Sequence, residues 1–402
     1  LPAQTGAPPQ HRLLPSSDPE PTVTQAAKFV VAVPVRNEAE RLAACLHALA
    51  HQAGGHEATL VVLVNNSSDG SAAIARRFAA SSPVPVVVRA CTLKPAEAHA
   101  GGARRRAMAL AAALARDDAV LFTTDADGRV APDWLAANLA ALAAGADAVA
   151  GQAAIDPADE LQIPLPLRQA DAAECGYAAL LDEIAARIDP DPADPWPRHD
   201  EHSGASIAVT ADAYRRVGGI PLIATGEDRG FFDALRRIDA RIRHAPDVRV
   251  TVSGRLDGRA AGGMAETIRR RMLRPDMFLD ARLDSARRSA ARAWLRRRTR
   301  LVWAATRVSA AWPMAAERAV TGMACAFGLP RGQLAEILAS PHFGAAWQAL
   351  EAGCTALQRQ KVAASEVLRE TAIARGILRG LRPAGTQSSS GMSSVALAPI
   401  AR

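Results

Sequence analysis

The chain has 402 residues, 49% of them apolar and 22% charged, a globular balance with enough material for one large domain or two moderate ones. A net charge of +7 points to an anionic partner, but nucleic acid is disfavoured: aromatic residues are only 4%, and no basic–aromatic interleaving, zinc-finger spacing or RNP signature is present. Five scattered cysteines without a C-x-x-C pair argue against a zinc ribbon or a disulfide framework, and no apolar run reaches the roughly 18 residues that span a bilayer.

Residues 1–26 are Pro-rich, lack an apolar signal core and are expected to form a disordered tail. From Lys28 the pattern becomes regular. "KFVVAVPV" reads as a strand, followed by helical spacing over 38–51; "TLVVLVN" (59–65) is a second strand, followed by a helix over 71–80. "VPVVVRA" (84–90) precedes a helix over 98–116, "AVLFTTD" precedes a helix over 132–144, and "ADAVAG" is a fifth strand. Short, continuously apolar strands alternating with helices imply a doubly wound, mostly parallel α/β sheet covered on both faces.

The alternation then loosens. Residues 160–188 read as helix, and "DPDPADPWPRHDEHSG" as a long loop of the kind that lies over a site. "ASIAV" resumes a strand, "TADAYRRVGG" a short helix, and "GEDRGFFDALRRI" another helix. Residues 264–380 show only helical spacing and many Arg, an accessory α-helical region, and 381–402 are a low-complexity tail expected to be disordered. The expected division is thus 1–26, 27–263, 264–380 and 381–402.

Polar clusters fall where strands end: "PVRNE" after the first, "NNSSDG" after the second and "DADG" after the fourth. An Asp-x-Asp-Gly alone is most often a polar turn. Ligands of a parallel α/β sheet, however, collect beyond the carboxyl ends of its strands, and three such clusters in order point to a site.

In these motifs the chain resembles glycosyltransferase family 2, the nucleotide-sugar transferases of the GT-A fold, over residues 28–260. The family's P-x-x-N-E appears as Pro34-Val35-Arg36-Asn37-Glu38, and its second-strand acids as Asn65-Asn66-Ser67-Ser68-Asp69. Its A-R-N appears as Ala103-Arg104-Arg105, its D-x-D as Asp125-Ala126-Asp127, and its later E-D as Glu227-Asp228.

The resemblance implies a metal-assisted, inverting transfer of a hexose from a nucleoside-diphosphate sugar to an acceptor alcohol. Pro34, Arg36, Glu38, Asn65, Asn66, Asp69 and Arg104 are expected at the donor, the nucleoside lying against Glu38, Asn65, Asn66 and Arg104. Asp125 would face the ribose or the metal, and Asp127 would hold Mg²⁺ or Mn²⁺ on the diphosphate. Hard cations of this kind favour one or two carboxylates plus phosphates. Asp228 would be the base that takes the acceptor's proton, with Glu227 beside it. The family often places a metal-binding His after the strand that follows the E-D helix; here stand Ser253, Arg255 and Arg259, and Arg255 or Arg259 is expected to clamp the diphosphate. No Q-x-x-R-W motif is present, so transfer should be non-processive.

Other features have plainer readings. His199 and His202 have no third ligand nearby in sequence, so zinc is disfavoured; His202 is expected on the acceptor side and His244 in a structural place. "ARAWLRRRTRLVWAATRVSAAW" (291–312) suits a bundle helix better than a basic membrane-surface helix, so the expected location is cytoplasmic, with peripheral contact at the inner membrane face as the variant. Two rivals stay open. A sugar-nucleotidyltransferase should carry a glycine-rich phosphate loop after the first strand, where "PVRNEAERL" has no glycine. A non-catalytic basic binding module would use the helical region.

Overall fold

The computed structural model describes residues 27–53, 57–258, 262–308 and 314–381. The two tails, residue 381 apart, and Arg259 lie outside the described residues.

Eight strands form one sheet: β1 (Ala27–Val35), β2 (Ala58–Asn65), β3 (Val86–Cys91), β4 (Ala115–Thr123), β5 (Arg129–Val130), β6 (Ala148–Ile155), β7 (Ile207–Thr210) and β8 (Ile242–Val252), in the order β3-β2-β1-β4-β7-β6-β8-β5. The first four neighbours are parallel, as are β6 and β8. β7 runs antiparallel to both β4 and β6, and the two-residue β5 antiparallel to β8, so the sheet is mixed. Between β6 and β7 the chain makes an excursion of some fifty residues and re-enters the sheet at the carboxyl end of β4, pairing Ile207 with Thr123. That return sets residues 203–206 beside the Asp125 turn.

The strands are apolar throughout because both faces are covered. Val31, Val33, Leu60, Val62 and Phe122 point into one core under α1 (Leu42–Ala53), α2 (Ser71–Ser81) and α4 (Trp134–Ala143). Their alternates Val30, Ala32, Val61, Leu63 and Leu121 point into a second core with Met108 of α3 (Ala100–Leu114), Tyr214 of α7 (Ala211–Arg216), and Phe231 and Phe232 of α8 (Glu227–Arg237). The helix expected over 160–188 is instead two, α5 (Pro157–Glu160) and α6 (Leu165–Ile188), separated at Pro164, whose ring cannot continue a helix from the preceding turn.

The C-terminal region is helical: α9 (Met264–Leu273), α10 (Ala286–Val308), α11 (Met314–Phe327), α12 (Arg331–Leu338), α13 (Phe343–Gly353) and α14 (Val367–Gly380). It has two cores. One joins α10 to α11, α12 and α13 through Leu295, Val320, Phe327, Leu334, Phe343 and Trp347. The other packs Leu283 and Ala293, with Ala374 of α14, against Tyr177, Leu181 and Ile184 of α6. A boundary at residue 263 therefore cuts through shared packing, because α6 supplies a wall of the helical core. Asp239, at the end of α8, caps α13: its carboxylate accepts from Phe343 N and Gly344 N, both at 2.7 Å, which seats the helical region against the sheet half.

Candidate active site

The ends of β1 and β2 are laced together. Asn37 N donates to Ser67 Oγ at 3.0 Å, Asn37 Oδ1 accepts from Ser68 N at 2.8 Å, and Glu38 N donates to Ser71 Oγ at 2.8 Å. Asn37 and Asn66 both take left-handed backbone angles (φ 53° and 46°), a conformation Asn tolerates better than most residues. Asn66 spends its amide on the backbone, donating to Leu93 O at 3.2 Å and accepting from Leu93 N at 3.1 Å. Asn65 is buried, and its Oδ1 has no partner among the described residues. Asp69 accepts from Ala39 N and Ser71 N, each at 3.0 Å, so its carboxylate holds this turn closed. Pro34 is half-buried near the end of β1, and exposed Arg36 donates to Ala98 O at 3.2 Å.

Three carboxylates crowd beside this turn. Arg255 grips Glu38 with both terminal nitrogens, one of them at 2.6 Å, and reaches Asp127 at 3.2 Å. Burial, then the charge of Asp125, pushes the Asp127 carboxyl up to about 6; Glu38 adds to the rise and Arg255 opposes it. Arg255 thus does not offset the burial and repulsion at Asp127. Cys45 lies behind it, its Sγ 3.5 Å from Asp125 O, and burial followed by the same carboxylates pushes its thiol up.

Arg104, expected beside the nucleoside, is held among the later motifs. It is 5% exposed and ties the later motifs together. Its Nε donates to Glu227 Oε1 at 3.0 Å, Nη2 to Asp125 Oδ1 at 2.7 Å, and Nη1 to Gly204 O at 2.6 Å and Thr123 Oγ1 at 3.3 Å. Burial works against its charge, but Asp125 and Glu227 together hold it more basic than usual. An added Cβ at residue 204 would meet this guanidinium, which its hydrogen bonds hold in place, so glycine lets the two approach. Glu227 is buried against Arg104, whereas its neighbour Asp228 is half-buried and faces open space. Asp228 accepts from Gly204 N at 2.9 Å and from its own helix at Arg229 N, 2.7 Å, which fixes the carboxylate while leaving lone pairs free.

That open space is a cavity of about 790 Å³ lined by Asp125, Arg104, Glu227 and Asp228 among others, while Asp127 and Arg255 are outside its lining. α5, α6 and α9 also line it, through Glu160, Leu167, Arg168, Asp171, Met264, Ile268 and Arg271, with Ile163 between α5 and α6. The α9 contribution comes from the helical region read as accessory. His202 also lines the cavity. Its Nε2 lies 2.7 Å from Arg236 Nη2 and 3.0 Å from His244 Nε2, and His244 Nδ1 lies 2.8 Å from Asp194 Oδ2. Arginine only donates, so His202 Nε2 accepts, and the neutral ring carries its proton on Nδ1. Burial, Arg236 and His244 hold His202 far below the usual histidine range. It can donate a hydrogen bond but is unsuited to take a proton. Asp194 and His244 form a buried pair that the sequence did not reveal.

The motif resemblance implies a divalent cation. Among the described residues no group of three His, Cys, Asp or Glu side chains could enclose one. The burial and repulsion left uncompensated at Asp127 nevertheless suit a cation that takes one or two protein carboxylates and completes its shell with phosphate oxygens, as Mg²⁺ does. The residues fit such an ion on those terms.

The model of the family described as Glycosyl transferase family 2 matches residues 30–190. Among solved structures, the chain is similar to mannosyltransferase PcManGT from Pyrobaculum calidifontis in complex with GDP-Man and Mn²⁺, at 19% identity over 91% of this chain and 88% of that one, TM-score 0.42. It is similar to S. aureus TarS 1-349 in complex with UDP-GlcNAc, at 15% identity over 88% and 92%, TM-score 0.42. A third is glucosyl-3-phosphoglycerate synthase from Mycobacterium tuberculosis with Mn²⁺, UDP and phosphoglyceric acid, at 16% identity over 61% and 78%, TM-score 0.37. A search of curated proteins finds no match. The fold is a mixed α/β sheet followed by helices, and over residues 30–190 the chain matches the model of glycosyl transferase family 2.

Proposed function

We propose that the protein moves a hexose from a nucleoside-diphosphate sugar to an acceptor hydroxyl, one sugar at a time and with inversion. The observation that carries this reading is the junction at Arg104. One buried guanidinium bonds the carboxylate that opens the D-x-D turn and also the glutamate beside Asp228, so the donor-side and acceptor-side acids face one cavity in fixed relation. The buried, unpartnered Asn65 Oδ1 suits an N–H of the nucleobase, with Glu38, Asn66 and the turn held by Asp69 around it. Asp127, Asp125 and Arg255 lie where the diphosphate would follow.

Asp127, with Asp125 near it, would hold Mg²⁺ or Mn²⁺, and such an ion supplies neutralisation of the charge that grows on a departing diphosphate. Arg255 supplies a second, permanent positive charge for those oxygens. On the acceptor side, Asp228 takes the hydroxyl proton as the oxygen bonds the anomeric carbon and the bond from that carbon to the phosphate oxygen breaks. A single displacement from the face opposite the diphosphate inverts the centre. Asp228 suits this role better than Glu227, which is committed to Arg104, or His202, whose accepting nitrogen is committed to Arg236.

No helix of the described residues is long and apolar enough to cross a membrane; the reading keeps the cytoplasm as the location, with peripheral membrane contact through the helical region as the variant. The test is thermal stabilisation by UDP, GDP, dTDP and CDP, each with and without Mn²⁺. Binding to the native state raises the melting temperature according to occupancy. At least one nucleotide should stabilise the protein more strongly with Mn²⁺; no stabilisation by any of the four would refute the proposal.

A further inference from the structure

We infer that the acceptor hydroxyl is carried by an amphiphile, an alcohol with an aliphatic or fused-ring apolar body. The inference rests on the glycosyl-transfer reading above and names the acceptor class for the same cavity.

The cavity joins the acids of the site to an aliphatic set. Asp125, Arg104, Glu227, Asp228 and Ser203 line it, and so do Ile155, Ile163, Leu167, Met264 and Ile268, with the charged Glu160, Arg168, Asp171, Arg229 and Arg271 among them. Among the described lining residues there is no Phe, Tyr or Trp face on which a sugar ring could stack, and no Asn or Gln amide to read a row of hydroxyls. The wall charge of Arg271 is already paired, with Asp171 at 2.9 Å and Glu174 at 3.2 Å.

The apolar character continues onto the surface. Leu161 is 72% exposed, Leu165 55%, Leu222 49% and Met264 47%, and Leu273 at the end of α9 is 88% exposed. More than half of the large apolar side chains that stand exposed among the described residues lie on this cavity's walls or within two residues of them. Scattered exposed leucines need no explanation, but a cluster around one opening marks a binding surface. The clustered side chains come from three separate segments, the α5–α6 turn, the 220–226 loop and α9, so no single amphipathic helix accounts for them. The acids that include the base, the aliphatic side chains of the lining and the aliphatic rim together complement a molecule with a hydroxyl head and an apolar body.

The probe is n-octyl β-D-glucopyranoside below its micellar concentration, with methyl β-D-glucopyranoside as the tail-less control. The protein is labelled with ¹³C at the methionine methyl groups. Met264 and Met272 on α9 report on the cavity and its rim, and Met108, buried in the sheet core, is the internal reference. The octyl compound should shift the Met264 signal saturably and leave Met108 in place, while the methyl compound shifts neither. The double variant Leu161→Glu, Leu165→Glu should weaken that binding by at least about tenfold, since each leucine removed from an apolar contact loses a full side chain of burial. Both positions are exposed, and an acid in the first turn of α6 is favourable, so the variant should fold. Equal shifts with the methyl compound, no Met264 shift, or unchanged affinity in the double variant would overturn the inference. Nucleotide stabilisation is measured in the same samples. Its failure removes the glycosyl-transfer reading, whereas nucleotide binding without octyl glucoside binding removes only the amphiphile.

Discussion

Replacing Arg104 by Met tests whether one buried cation organises the site. Met keeps most of the aliphatic volume but removes four hydrogen bonds: to Asp125 at 2.7 Å, Glu227 at 3.0 Å, Gly204 O at 2.6 Å and Thr123 at 3.3 Å. Glu227, 5% exposed, is left as a buried carboxylate without its cation, and breaking a buried ion pair on one side costs about 3–5 kcal/mol. With roughly 2–4 °C per kcal/mol for a mid-sized domain, the melting temperature should fall by about 6–20 °C, followed by circular dichroism. The double variant Arg104→Met, Glu227→Leu removes the stranded charge as well and should recover part of that loss, a non-additivity of at least ~1 kcal/mol. Nucleoside diphosphate binding should survive in both, since Arg104 touches the D-x-D turn only through Asp125. A melting point within 2–3 °C of the parent, of order 1 kcal/mol, or strict additivity in the double variant, would refute the role given to this residue.

Three further outcomes follow from the geometry. Asp127→Ala should abolish the Mn²⁺-dependent part of nucleotide stabilisation while keeping the fold; unchanged metal dependence would reduce the D-x-D stretch to a turn. His199 is pushed down to about 4 by burial and then by His244, from roughly 6.5 unfolded. Because the folded value is the lower one, its contribution is present above pH 6.5 and is lost as pH falls toward 4, by up to ~3 kcal/mol. His199→Asn, which can still accept from Glu201 N as Nδ1 does at 3.1 Å, should flatten that acid limb in a series of melts, and an unaltered limb would contradict the assignment. Gly344→Ala should destabilise by about 1–3 kcal/mol, because the added methyl collides with Arg236 O on the helix against which α13 is capped; a neutral result in urea unfolding would show that this junction yields easily.

Much of this architecture could be read from the residues because each strand satisfies two cores at once. Val30 to Val33 and Leu60 to Leu63 alternate between the two faces, and a continuous apolar run is what that demands. The reversed direction of β7 could not be read, because direction depends on the route of the long excursion and not on the four residues of the strand. At two residues β5 is too short to carry a period.

The carboxylates of the site were visible as polar strand ends, but their partners were not. Arg104 finds Glu227 across 123 residues and Gly204 across 100, contacts set by how α3 and α8 meet over the sheet edge. Motif order alone says nothing of where a long side chain reaches. The Asp194–His244 pair lies in a Pro/Asp loop and a strand 50 residues apart, and the cavity wall in α9 lies beyond the point where the composition changes. Burial and pairing at such separations leave no local pattern.

The most direct measurement compares the parent with Asp228→Asn for release of nucleoside diphosphate, using the donor whose nucleotide stabilises the protein best. Asn keeps the size and the hydrogen bond from Gly204 N, so fold and nucleotide binding should be unchanged. It cannot take the proton, and release should fall by at least about a hundredfold, the low end of what a positioned general base contributes. Near-parental release from the Asn variant, with nucleotide binding intact, would contradict the account at its centre.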